Sequence, residues 1–193
     1  MNKARLEAFS DGVLAIAITL LILDIRIPEV AYSELGGAIT QILPKIISYV
    51  ISFTVIGVYW IGHHYYFKFV KKTDGIFTWL NILMLMLISF VPFPTSLMGA
   101  YPFQTIPVLI YGIDLLAINT VSWIMFYYLY NHRELTESTF TPKSLRIYTK
   151  LFLIINGIYL AAIVISPFYP KVSYGVYILA LVWLIVTYAK RKD

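Results

Sequence analysis

Cysteine is absent from the sequence, which excludes disulfides, thiolate catalysis and Cys-ligated metal while leaving the redox compartment undetermined. Charge is also scarce. Asp, Glu, Lys and Arg make up 13% of the 193 residues and hydrophobic residues 60%, whereas an ordinary soluble domain is roughly a quarter charged and half apolar. So few charges cannot coat a water-exposed surface, and a soluble enzyme of this size is excluded. Intrinsic disorder is excluded by the same composition. Aromatics, by contrast, are abundant: 16 Tyr, 12 Phe and 4 Trp, the excess expected of a chain that meets two membrane interfaces. The class is an all-α integral membrane protein.

A window of about 19 residues finds six apolar runs, Ala8–Ile27, Ile42–Phe69, Ile76–Leu97, Ile106–Tyr130, Leu145–Ile165 and Tyr174–Ala189. Charge, Pro or Gly separates them at residues 28–44, 71–75, 92–107, 131–144 and 166–170. The second run is long enough to require tilt or projection beyond the bilayer. The first follows Lys3 and Arg5, but it contains Glu7 and Asp11 and lacks a small-x-small cleavage site, so it is expected to stay as an anchor rather than act as a signal peptide. One six-helix unit spanning residues 1–193 is the simplest organisation, with almost nothing left for an extramembrane domain and no internal repeat.

Placing the 15 Lys and Arg residues on alternating sides tests that topology. Lys3, Arg5, Lys68, Lys71, Lys72, Arg133, Lys143, Arg146, Lys150, Lys190, Arg191 and Lys192 fall on one side, and only Arg26, Lys45 and Lys171 on the other. Twelve against three is a strong positive-inside bias that puts both termini in the cytoplasm. It also accounts for the net charge of +5 without nucleic acid, because the cations are spread over several short loops rather than set on one face.

Ionisable and amide side chains within the spans are the informative positions. An Asp at a helix centre costs about 2.5–3.5 kcal/mol while a Leu returns only about half a kcal/mol. The candidates are Asp11, His63, His64, Asn81, Asp114 and Asn119. On a helical wheel of the first span, at about 100° per residue, Ile16, Leu20, Leu23 and Ile27 form one aliphatic stripe with Thr19 on its flank. Asp11 lies about 140° away from Ile16, so the two face different surroundings. Gly12, Ala15 and Ala17 permit close helix packing.

Arg5-x-x-x-Phe9-Ser10-Asp11, followed by Ala-Ile-x-x-Thr-Leu, resembles the first-span signature of prokaryotic members of the TMEM175 family of potassium-permeable channels. The resemblance runs along the chain: six spans, cytoplasmic termini, Trp60-x-x-His63-His64 late in the second span, and Asn81 in the third. It implies a homotetramer in the bacterial cytoplasmic membrane, with the first span of each subunit lining a central pore and permeant potassium in place of any cofactor. The implied constriction is Ile16, Leu20 and Leu23, with the Thr19 hydroxyl as a selectivity candidate. Arg5, Phe9, Ser10, Asp11, Trp60, His63, His64 and Asn81 would form a structural motif and polar network rather than line the pore. The sequence has no Gly-Tyr-Gly or Gly-Phe-Gly tripeptide from which a carbonyl filter could be built.

Each assignment has a plainer competitor. The Ile16 stripe could simply face lipid or pack in a bundle. Asp11 reads as a hydrogen-bond anchor to Trp60, His63, His64 or Asn81, against the alternative of a proton relay or ion ligand. Asp24 would sit at the external mouth or merely pair with Arg26. For Asp114 interhelical hydrogen bonding is expected, with no partner evident. Adjacent His63 and His64 point about 100° apart and no third ligand is spaced for zinc, so no metal is expected. A proton-coupled or proton-conducting transporter using intramembrane Asp and His is the rival function. It would normally show inverted repeats and helices broken at mid-span, which the sequence does not suggest. Triads and metal-ligand spacings are also missing, so no catalysed reaction is expected.

Overall fold

Helices begin where the sequence supplies a partner for the free N–H groups of a first turn. In the computed structural model, which describes residues 2–190, the Asn2 side chain accepts from the Ala4 N–H at 3.0 Å and starts α1 (Lys3–Leu20). Asp74 accepts from the Phe77 N–H at 2.8 Å and starts α3 (Gly75–Phe90). Thr141 and Ser144 form a capping box at α6 (Pro142–Ile165). Proline opens α4 (Pro92–Ala100), α6 and α7 (Pro170–Ala189), the helical position where its missing N–H matters least. The remaining helices are α2 (Leu35–Phe67) and α5 (Thr105–Asn131). With short 3₁₀ turns these make six membrane-capable spans, Lys3–Asp24, Tyr32–Phe67, Gly75–Ala100, Thr105–Asn131, Pro142–Ile165 and Pro170–Ala189. Arg191 and Lys192, counted in the charge map, lie outside the described residues.

Several boundaries differ from the sequence expectation, and three of the differences shape the site. The second helix starts at Leu35 rather than Ile42, so Pro44, assigned to a break, lies inside it. At 33 residues α2 is about 50 Å long, against a hydrocarbon core of about 30 Å, so it must tilt or project. The first α-helix ends at Leu20 and continues as a 3₁₀ turn over Leu21–Asp24. Finally, the third span is not continuous: it breaks at Val91 and runs on to Ala100. Pro92 and Pro94 have no N–H to offer the carbonyls of Ile88 and Phe90, one turn back. The Val91 N–H closes on Ile88 O at 3.2 Å, and the Thr95 N–H restarts the ladder on Val91 O at 3.1 Å.

That break aims α4 at α2. The Thr95 hydroxyl lies 2.7 Å from Ser52 Oγ, which in turn is 3.2 Å from the Tyr111 hydroxyl, so α2, α4 and α5 share one buried polar cluster. A Cβ on Gly99 would come within 2.9 Å of Lys45 Cα, so these two helices meet backbone to backbone. At the centre is α5, which packs on α3, α4, α6 and α7 and buries Val108, Leu115, Ile118, Met125 and Leu129. In α1 the buried residues Leu6, Ser10, Leu14 and Ala17 recur every three or four positions and set one face against α2 and α3.

Two loops are tied together on the side the charge map calls cytoplasmic. The Lys71 N–H donates to Leu135 O at 2.8 Å and the Glu137 N–H to Phe69 O at 2.9 Å, around an isolated bridge between Val70 and Thr136. The α2–α3 and α5–α6 connections therefore share a side, as the alternating topology requires. Asp74 joins them: the Tyr128 hydroxyl donates to its Oδ2. Burial pushes the Asp74 carboxyl up, but the bonds from Tyr128 and the Phe77 N–H outweigh it and hold the group below its ordinary value.

The close approach of α5 to α7 gives a first expected result. A Cβ at Gly112 would overlap the Tyr177 hydroxyl and come within 2.9 Å of Ile163 Cγ1, while that hydroxyl is held by Val108 O at 3.2 Å. Gly112→Ala should therefore destabilise by about 1–3 kcal/mol through overpacking. In detergent-solubilised protein the thermal midpoint should fall by about 2–10 °C, and an unchanged midpoint would show that α7 yields freely.

Candidate ion pathway on the first helix

The face of α1 about a quarter-turn from its buried one is aliphatic and largely uncovered within the chain. Ile16 is 61%, Leu20 46% and Leu23 64% exposed. Ile16 and Leu20, four apart, are separated by about 40° around the axis. Leu23 falls in the 3₁₀ turn, where residues three apart eclipse, so it stands directly beyond Leu20. The wheel's fourth member, Ile27, is not in the column: the backbone turns extended at Ile25, and helical angles no longer apply. Thr19 is exposed on the flank, and its hydroxyl lies 3.0 Å from Ala15 O and 2.9 Å from Ile16 O. Its proton is committed to its own helix, so only oxygen lone pairs face outward, an acceptor suited to a cation.

Two separate links hold the other side of α1. In the buried one, Asn81 Nδ2 donates to Ser10 Oγ at 2.9 Å and Asn81 Oδ1 lies 3.0 Å from His63 Nε2. Ser10 passes its own proton to Leu6 O at 2.8 Å. With the amide this way round, His63 donates through Nε2; its ring stacks on Phe67 at 4.4 Å. In the second link the Trp60 indole N–H donates to Asp11 Oδ1 at 2.9 Å, and its ring stacks with that of His64 at 6.2 Å. Of the four partners the sequence offers Asp11, Trp60 is the one bonded to it; His63 and Asn81 bond to each other. Arg5 and Phe9 are exposed and belong to neither link.

The Asp11 link separates charge from hydrogen bonding. Asp11→Asn keeps an acceptor for the indole and should assemble nearly normally, whereas Asp11→Ala removes this exposed bond altogether, a loss of about 0.5–1.5 kcal/mol. The comparison is read as oligomer yield by size exclusion. Normal Asp11→Ala yield with altered ion preference would move Asp11 from an anchor to the pore.

At the outer end the charge on Asp24 is answered differently from expectation. Its carboxylate is 3.6 Å from the Lys45 ammonium, which also reaches Asp24 O at 3.3 Å. The partner is thus Lys45 of α2 rather than Arg26, and the pair clips the 3₁₀ turn to the bundle. Asp114 also departs from expectation. It is 5% exposed, and among the described residues neither carboxylate oxygen has a hydrogen-bond partner, so no interhelical bond forms there. Asn119 does bridge helices, donating to Asn156 Oδ1 while Asn156 Nδ2 donates to Thr120 Oγ1 at 3.1 Å. Sequence reasoning singles out Asn119 but misses Asn156 and Thr120; a search for a second intramembrane amide would have found the first. Among the described residues no three His, Asp or Glu side chains gather where a metal ion could bind.

Similarity to known proteins follows the same helices. Residues 5–92 match the family described as endosomal/lysosomal potassium channel TMEM175. A potassium channel of Chryseobacterium sp. is 38% identical over 187 residues, 96% of this chain and 94% of its own. One from Chamaesiphon minutus is 37% identical over 191 residues, 93% and 92% of the two chains. The crystal structure of a lysosomal potassium-selective channel TMEM175 homolog from Chamaesiphon minutus superposes with a TM-score of 0.85 at 33% identity, covering 96% of this chain and 97% of that one. The human endosomal/lysosomal proton channel TMEM175 is 27% identical over 177 residues, 88% of this chain and 35% of its own.

Proposed function

The chain belongs to the TMEM175 family, and on that premise we propose that it is one subunit of a homotetrameric potassium channel of the bacterial cytoplasmic membrane. Four copies of α1 surround the conducting axis. Ile16, Leu20 and Leu23 form the constriction, and the Thr19 oxygens face the ion beside it. Flux is passive, driven by the gradient, and no chemistry is catalysed.

The observation that carries this reading is the division of α1 into two faces. Ser10 and Asp11 are held by α2 and α3, while the Ile16, Leu20 and Leu23 face is left about half or more exposed by its own chain. A bilayer would cover such a stripe equally well, but Thr19, with its oxygen turned outward on the same flank, suits an aqueous axis better than lipid. Closure by an aliphatic ring is by dewetting, and a small displacement of α1 reopens it. Asp24 stands at the outer end of this face with its charge offset by Lys45, so any cation concentration at the mouth depends on that pair opening.

Proteoliposomes given separate potassium, caesium, sodium and proton gradients test the proposal. Potassium moving down its own gradient, faster than sodium, is expected. Uphill potassium movement driven by a proton gradient would replace the channel with a coupled transporter. Proton flux that exceeds potassium flux would align the chain with its relatives named as proton channels.

A further inference from the structure

We propose that the cytoplasmic end of α6 binds the phosphodiester headgroup of an anionic lipid from the inner leaflet, through Arg146, Thr149 and Lys150. These residues line an open groove of ≈ 520 Å³ along α6, walled on its other side by Tyr130 of α5. Their spacings of three and four put them on one helical face. Arg146 and Lys150 are exposed, and neither has a carboxylate partner among the described residues. Thr149 accepts the Trp123 indole N–H at 3.2 Å, and among the described residues its own hydroxyl proton has no acceptor. The site therefore presents a guanidinium, an ammonium and a positioned hydroxyl, all as donors, which calls for an anion with several acceptor oxygens. Arg133 adds positive charge behind the wall, stacked 4.0 Å over the Tyr130 ring and bound to Phe140 O at 2.8 Å.

The groove's continuation selects a lipid over a soluble phosphate. One turn deeper it is lined by Leu153 and Ile154, both exposed. A further turn on, a Cβ at Gly157 would meet no atom within 4 Å, and Leu160 beyond it is half exposed. Over about 15–20 Å along the helix the surface thus passes from cationic to wholly apolar, the polarity order of a lipid lying along α6 with its headgroup inward. Basic pockets at the cytoplasmic side of spans recognise anionic headgroups by this arrangement. α6 packs chiefly on α5 and α7 rather than on α1, which places the groove away from the conducting axis and toward the bilayer.

The test is native mass spectrometry of the full-length protein in neutral detergent, titrated with phosphatidylglycerol and, separately, phosphatidylcholine. Preferential retention of phosphatidylglycerol is expected, reduced by at least about tenfold in Arg146→Gln/Lys150→Gln. Arg146→Lys/Lys150→Arg should retain it, as should Lys71→Gln/Lys72→Gln, which removes the same charge from another cytoplasmic loop. Equal losses in the two charge-removing variants overturn the site in favour of diffuse attraction. Displacement of the lipid by millimolar glycerol 3-phosphate overturns the lipid assignment in favour of a soluble anion. Dissociation of the oligomer in Arg146→Gln/Lys150→Gln overturns it in favour of a contact between copies. Binding is read without ion flux, so this site stands or falls separately from the channel reading.

Discussion

Replacing Ile16 by Asn should raise the resting potassium leak of reconstituted vesicles by at least about tenfold, the equivalent of removing about 1.4 kcal/mol from the barrier. Ile16 stands 61% exposed at the inner end of the aliphatic column, so the substitution disturbs little of its own chain's packing. In the proposed tetramer the substitution places four amides where four branched alkyl groups stood. Water then has hydrogen-bonding partners in the narrow zone, and the dewetting barrier falls. Leu179→Asn on α7 makes the control, since Leu179 is 70% exposed on a helix whose main contacts are with α2, α5 and α6; its leak should match the unaltered protein. Unchanged flux through Ile16→Asn channels that assemble normally would reject the constriction assignment.

The largest loss of stability is expected from Asn81→Leu. Asn81 is fully buried and serves both sides of the link, donating to Ser10 and facing His63 Nε2. Leucine leaves Ser10 without its donor and His63 without its acceptor. Stranded buried groups cost about 1–3 kcal/mol each, and the imidazole loses the acceptor it faces through Nε2. The thermal midpoint should fall by about 10 °C and oligomer yield with it. Ser10→Ala alone removes one bond and should cost less. Combining it with Asn81→Leu should cost less than the sum of the two, because both ends of one hydrogen bond are then apolar. Strict additivity would mean that Ser10 and Asn81 do not act on each other.

How far the sequence could be read depended on the range of each interaction. Six spans and their orientation follow from composition and from twelve cations against three, quantities that sum over many residues and tolerate local error. The two-faced character of α1 was legible because periodicity is local, and the same wheel that isolates Ile16 puts Asp11 elsewhere. Errors arose where one backbone bond or one distant residue decides. The apolar run carries the third span past Pro92 and Pro94 to Leu97, but nothing in their identity says that the helix breaks at Val91 and that its last part packs on α2. Lys45 reaches Asp24 across 21 positions, while Arg26, two residues away, looks the nearer partner on paper. Asp114 has no hydrogen-bond partner among the described residues, and two hydroxyls close enough to feel its charge are engaged elsewhere, Tyr59 on Leu115 O and Tyr111 with Ser52.

The 3₁₀ turn at Leu21–Asp24 makes the two ends of the column answer to different variables. A 3₁₀ segment advances about 120° per residue and an α-helix about 100°, with rises of about 2.0 Å and 1.5 Å. Rewinding these four residues as α-helix would swing Leu23 about 60° off the line of Leu20 and draw it inward by about 1.5 Å, with α1 neither tilting nor sliding. Leu23 is thus set by torsion, a choice between two hydrogen-bond registers pinned at Asp24 by Lys45, and Ile16 by translation of a helix moored at Ser10. In the proposed tetramer the column would take two mechanical inputs, one a twist and one a shift, entering at opposite faces of the membrane.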